Sequence, residues 1–272
     1  MSSGDDSPGQ PSDTMRERAD VSTTKLWLLL RADRRLVALG IVASLFFGIV
    51  VAGVAHPKPA HQLVTASDSV DTLAQALVGS TVTGVTLVLT LSQLVLSQEQ
   101  GAVGDQRERM EAATTFRVDV SDVIDESVSP TEPSAFLRAL VRSTERRADE
   151  LERSLTGLDD ELTARIREYG DGIRENSQRV RDGLDGARFG EFDVIRSALD
   201  FNYSWKLYTA RRLRVEHEDA LSDDAIERFE ALASVLELFG PAREHFKTLY
   251  FQWELIDLSR SILWVSIPSL LA

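Results

Sequence analysis

TLAQALVGSTVTGVTLVLTLSQLVLSQ, residues Thr72 to Gln98, contains no charged residue and sets its polar and small side chains at helical spacing. Thr72, Gln75, Gly79, Thr83, Thr86, Thr90, Gln93 and Ser97 follow one another at intervals of three or four. A helix of this sequence is apolar around most of its circumference and carries one hydrogen-bonding stripe along its length. Leu73, Leu77, Leu87, Leu89, Leu91, Leu94 and Leu96 supply the apolar remainder. The segment is long enough to cross a bilayer, so the reading is a membrane helix whose stripe faces protein or water rather than lipid.

Working outward, a second uncharged run lies upstream at Leu36 to Ala55, LVALGIVASLFFGIVVAGVA, behind the basic residues Arg31, Arg34 and Arg35. At 1.5 Å per residue it reaches about 30 Å, the thickness of a hydrocarbon core. Within it Gly40, Ser44, Gly48 and Ala52 recur every fourth residue and form a small-residue ridge. Such ridges let helix backbones approach closely where hydrophobicity cannot drive association. The ridge is expected to pack on the second span of the same chain, with self-association into a homo-oligomer as the alternative. The Thr and Gln stripe is read first as a packing surface, its hydroxyls bonding to their own helix or to a neighbour. The sharper alternative is a lining for a wet, channel-like path.

Arg16, Arg18, Lys25, Arg31, Arg34 and Arg35 precede the first span, and Arg107 and Arg109 follow the second, while the loop His56 to Asp71 has only Lys58. This bias places the N-terminus and everything after Gln98 on the cytoplasmic side. Residues 1 to 24 are rich in Ser, Asp, Gly and Pro and read as a disordered tail, not a signal peptide. The two spans contain no ionisable residue, so neither holds a proton relay or a voltage sensor.

The chain has 272 residues, a net charge of -13 and no cysteine; four of its 30 basic residues are lysine. Abundant carboxylates with scarce lysine match the composition used by proteins that work in molar salt, where charge repulsion is screened within a few ångströms. This balance argues against nucleic-acid binding, which requires a concentrated basic patch. Without cysteine there is no disulfide, thiolate metal site or cysteine nucleophile.

From Glu99 to Asp257 the sequence is polar, acidic and helical in its periodicity. A helix is expected over Gly104 to Ser127, then one capped by Ser134. Leu137, Val141, Thr144, Ala148, Leu151, Leu155, Leu158, Leu162, Ile166, Tyr169 and Ile173 keep a helical step, which predicts one long helix breaking near 170 to 172 at Gly170 and Gly172. Asp149/Arg153, Glu161/Arg165 and Glu175/Arg179 are set to pair along it. Another helix is expected from Glu191 to Glu218, and one from Ser222 to Gly240, with Pro241 opening a last one. That last helix enters the apolar run Ser261 to Ala272, which reaches only about 18 Å. It reads as the start of a third membrane helix in a chain that continues in its full-length form, or as a short helix buried against the other two.

Candidate chemistry is sparse. His56 and His61 lack neighbouring carboxylates and read as solvated loop residues, while His217 and His245 sit among Glu216, Glu218 and Glu244 as surface charge patterning. No phosphate-binding, dinucleotide-binding, nucleophile-elbow or H-E-x-x-H motif occurs. Of the aromatic residues, Phe201, Tyr203, Trp205 and Tyr208 are expected in a domain core. Phe246, Tyr250, Phe251 and Trp253 are expected as anchors at the membrane surface.

The stretches STVTGVTLVLTLSQLVLSQEQGAVGDQRERM and DLSRSILWVSIPSLLA resemble an uncharacterised family of haloarchaeal multi-pass membrane proteins. That resemblance implies two N-terminal spans, a helical cytoplasmic domain and two C-terminal spans, and brings no activity or functional residue. The expected architecture is all-α: a tail at 1–24, a transmembrane hairpin at 25–98 with spans 36–55 and 72–98, a helical cytoplasmic domain at 99–257 and a partial membrane helix at 258–272. The expected function is that of a non-enzymatic integral membrane protein without cofactor or metal, whose partners are the lipid bilayer, a second copy of itself and a cytoplasmic protein. The alternative is a membrane-anchored signalling or scaffold module.

Overall fold

The computed structural model describes residues 34–55, 67–99, 103–124, 126–188 and 190–271, and every element of secondary structure among them is an α-helix. The helices are α1 (Arg34–Ala55), α2 (Ser67–Glu99), α3 (Val103–Ile124), α4 (Pro133–Ser154), α5 (Asp160–Leu184), α6 (Phe192–Leu199), α7 (Tyr203–Glu216) and α8 (Asp223–Leu271). The tail at 1–24, the basic residues Arg16, Arg18, Lys25 and Arg31, and the loop segment holding His56, Lys58 and His61 lie outside the described residues. The chain divides into two compact units. One takes in the described residues within 100–254, the other those within 20–99 and 255–272, so α8 contributes to both.

In the first unit, α4 and α5 form an antiparallel hairpin. Ion pairs Arg174–Asp149 (3.0 Å), Arg181–Glu145 (2.9 Å) and Arg138–Asp185 (2.8 Å) step down it in opposite directions. The long helix expected through residue 173 is therefore two helices, and the break falls at Leu155–Asp159 rather than near 170 to 172. Gly157 takes a positive φ of 75°, open to glycine at no steric cost, and the Asp159 carboxylate accepts from the Leu162 amide at 2.7 Å to start α5. Leu151, Leu155, Leu158 and Leu162 keep a helical step through the turn, which is why periodicity alone runs across it. Gly170 and Gly172 stay inside α5. Glu175 pairs with Arg179 at 3.0 Å as the spacing predicts, whereas the Asp149 carboxylate is engaged by Arg174 across the hairpin.

Helix α4 is capped by Glu132, not by Ser134. The Glu132 carboxylate accepts from the Ala135 amide at 2.7 Å and from the Ser134 hydroxyl at 2.5 Å, with Pro133 opening the helix. Partial burial pushes the Glu132 carboxyl up, but these two donors, the Ser134 amide and Arg138 together hold it below the ordinary value. The segment after α3 runs back along that helix: the Ser129 amide donates to Ser121 Oγ (2.9 Å) and Arg117 donates to the Pro130 carbonyl (3.2 Å).

The helix expected over 191–218 is α6 and α7, separated by an elbow at Asp200–Asn202. Helix α7 pairs antiparallel with α8 through Arg214–Glu230 (2.8 Å) and Arg211–Glu237 (2.5 Å). Ser222 Oγ accepts from the Ala225 amide at 3.2 Å, as expected of its cap. Helix α8 continues through Gly240 and Pro241, correcting the boundary expected there. An interior proline costs about 3 kcal/mol. Against that, Val235, Leu236, Phe239, Ala242, Phe246 and Tyr250 are all buried on one helical stripe across the proline, and ending the helix would sacrifice several of these contacts at about 1.5–3 kcal/mol each. Gly240 is a packing position: a Cβ there would lie 2.9 Å from the Tyr203 ring. The core closes with Phe201 on Phe239 (ring centroids 4.6 Å) and Phe136 on Phe246 (5.5 Å).

In the second unit, Leu36–Val54 of α1 and Ala74–Leu94 of α2 are long and apolar enough to cross a membrane, with mean hydropathies of 2.6 and 1.5. None of the first stretch is buried. Such exposure is the reverse of what water selects, since a helix that is apolar all round belongs in a core or in lipid.

Candidate functional site

The polar stripe of α2 lies where the sequence places it, on one face, and its Thr83, Thr86, Thr90 and Ser97 hydroxyls are satisfied within the helix. Thr83 Oγ1 donates to the Gly79 carbonyl, Thr86 to Val82 and Thr90 to Thr86, each at 2.8 Å, and Ser97 donates to Leu94 at 2.8 Å. Thr72, Gln75, Gly79, Thr83, Thr86, Thr90, Gln93 and Ser97 are all exposed in the single chain. The face of α2 that is covered is a different one. Val88 is only 8% exposed, and Thr81, Gly84, Val85 and Ser92 are half-buried. At 100° per residue this face is centred about 160° from the Thr and Gln stripe.

Sequence reasoning passed over this second face because its residues look ordinary: two valines, a glycine and two hydroxyls within an apolar run. Its one visible signal is the set Thr81, Gly84, Val85, Val88, Ser92, which falls on one helical face with Gly84 and Val85 side by side in sequence. Ser92 Oγ lies 3.3 Å from Ser259 Oγ, so the C-terminal segment of the same unit reaches it.

On α1 the ridge residues Gly40, Ser44, Gly48 and Ala52 are exposed, and a Cβ at Gly40 or Gly48 would meet nothing within 4 Å. Val37 and Gly53 are the half-buried positions between Leu36 and Val54. The ridge and the Thr stripe are thus both present as surfaces, and the described contacts bring neither against a neighbour.

The helical domain offers no competing constellation. Among the described residues no group of three or more His, Asp and Glu side chains could hold a metal. The depression between α7 and α8, about 300 Å³, is lined by Arg211, Arg214, Glu230 and Glu237, whose charges pair across it. His217 Nε2 sits 3.4 Å from Arg165. Desolvation, then the neighbouring Arg117, hold the His245 imidazole below its ordinary value, which disfavours a charged form.

Buried polar groups are concentrated where α5 meets the elbow. Tyr169 Oη donates to the Lys206 carbonyl at 2.7 Å and Asn176 Nδ2 to the Asp200 carbonyl at 2.9 Å. Lys206 is buried, its ammonium 5.1 Å from the Phe201 ring centroid. These bonds satisfy backbone carbonyls around the irregular elbow and fix its shape. Burial pushes the Tyr169 hydroxyl far above its ordinary range, so it stays a donor at any working pH.

The aromatic groups divide differently from their expected roles. Phe246 and Tyr250 are buried in the domain core, while Phe251 and Trp253 are 59% and 57% exposed; Tyr208, expected inside, is 53% exposed.

The fold and these surfaces define an all-α protein with two helices long and apolar enough to span a membrane. Its whole length, residues 1–272, matches the model of a family of unknown function, DUF7972, and the protein belongs to that family. No curated protein and no solved structure matches the chain.

Proposed function

We propose that this is a non-enzymatic integral membrane protein in which α1 and α2 span the bilayer. The helical domain faces the cytoplasm in this reading. The observation that carries it is that no residue of the uncharged stretch Leu36–Val54 is buried. At about 25 cal/mol per Å² of apolar surface, transferring a helix of this kind from water to hydrocarbon is favourable by tens of kcal/mol before the ordering cost. Thr83, Thr86 and Thr90 are compatible with lipid, because each of these hydroxyls already bonds to a carbonyl of its own helix. Gln75 and Gln93 are about 27 Å apart along α2 and mark the two headgroup levels. Packing, within the chain or between two copies through the Gly40–Ser44–Gly48–Ala52 ridge, therefore explains the hairpin better than a channel does.

A second reading, a membrane-anchored signalling or scaffold module acting on a cytoplasmic protein, draws on the division into two compact units, one holding the apolar helices and the other a closed helical core. Both readings share the same topology. The chain lacks cysteine, so single cysteines report sidedness directly. An impermeant maleimide added to intact cells should label an Ala60→Cys chain and leave a Ser222→Cys chain unlabelled until the cells are lysed. Labelling of Ser222→Cys from outside would overturn the orientation, and labelling of neither position in lysed cells would overturn the exposed loop.

A further inference from the structure

The covered face of α2 needs an occupant, and the described contacts limit the choice. Helix α1 offers Val37 and Gly53 as half-buried positions, about 24 Å apart along the helix, which make no contiguous face. The second unit's share of α8 begins at Leu255. There Leu255, Ser259 and Ile262 are half-buried at a spacing of four and three, while Ile256, Leu258 and Trp264 between and beside them are exposed. Ser259 meets Ser92 at 3.3 Å and also donates to the Leu255 carbonyl at 2.9 Å. Among the described side chains, the covered face of α2 runs from Ser92 toward Thr81. Among the described residues that reach Ser92 in this unit, the helix long enough to follow that face runs on the C-terminal side of Ser259, which makes the two helices antiparallel. The lengths agree: Ser259 to Leu271 is about 18 Å of helix, and Ser92 to Thr81 about 16 Å.

We infer that Ser259–Leu271 forms a third helix docked antiparallel on the Thr81–Gly84–Val85–Val88–Ser92 face of α2, with the Ser92–Ser259 pair fixing its register. Its membrane embedding rests on the reading of α1 and α2 as spans; the docking itself does not. Docking on this side leaves the opposite, Thr-bearing face of α2 outward. The small and branched side chains of the covered face suit helix contact in lipid, where packing and a hydroxyl pair replace the hydrophobic effect. The uncharged run Ser261 to Ala272 then lies against a helix that spans.

In the full cysteine-free chain, oxidation with copper phenanthroline should link Ser92→Cys to Ser259→Cys, and Val88→Cys to Ile262→Cys. Both disulfides should form in most molecules and run as monomers on a denaturing gel. Thr90→Cys with Ile262→Cys, on the outward face, should link at least tenfold less. Single-cysteine parents that fractionate like the unsubstituted chain establish that the variants fold. Failure of the Val88 pair, or linkage of the Thr90 pair as readily, overturns the docking. Disulfides in a chain that washes off membranes would keep the docking and overturn the membrane reading instead.

Discussion

At the scale of single residues, the domain is held by groups whose partners are far away in sequence, and Tyr169 shows the consequence most clearly. Its hydroxyl is buried and donates to a carbonyl at the foot of α7. Tyr169→Phe should cost about 1 kcal/mol, the typical worth of a buried neutral hydrogen bond, measured by thermal or denaturant unfolding. The pH dependence has a definite sign. Burial raises the folded pKa of Tyr169 above the ordinary tyrosine value of 10.0, so the unfolded chain loses that proton first. The contribution is present in full below pH 10 and is lost as pH rises beyond it; the Phe variant should lack that part of the alkaline loss. Arg174 makes the opposite case. It bridges Asp149, Glu152 and Asp171, and its hydrogen bonds to Glu152 and then Asp171 raise its pKa further, so it remains charged throughout. Being partly exposed, each of its pairs contributes only about 0.2–1 kcal/mol.

At the scale of elements, the apolar helices and the helical class of the domain were legible in sequence, because both depend on composition and on a 3.6-residue period. The turns were less so. Gly157 and Asp159 broke the α4–α5 run while the leucine spacing continued through it, and Gly240–Pro241 failed to break α8 because the buried stripe continued on both sides. Glu132 displaced Ser134 as the cap because the helix opens at Pro133, two residues earlier than a Ser134 cap would start it. Of the candidate surfaces, the Thr stripe was visible as a pattern, but its opposite face, where the burial lies, was hidden among valines. This gives a direct test for α2. Replacing Thr83, Thr86 and Thr90 together with Leu removes three hydroxyls that bond only to their own helix. The variant should stay within about 0.5 kcal/mol of the parent in stability per site and should fractionate unchanged. If proteoliposomes carrying the parent pass ions and this variant does not, the stripe lines a path and the packing account of it fails.

At the scale of the whole molecule, one chain carries two units with opposite relations to solvent. One covers its apolar side chains in a closed core with charged pairs outside; the other leaves a 19-residue apolar stretch of α1 with no buried residue. The net charge of -13 belongs to the polar sequence and leaves Leu36–Val54 and Ala74–Leu94 without a single ionisable group. Burial in lipid accounts for that division without invoking a ligand or a reaction. Alkaline carbonate extraction of membranes from cells expressing the full chain tests it most directly. The account predicts that the protein stays in the pellet and is released only by detergent; its recovery in the carbonate supernatant as a monodisperse protein would contradict the account.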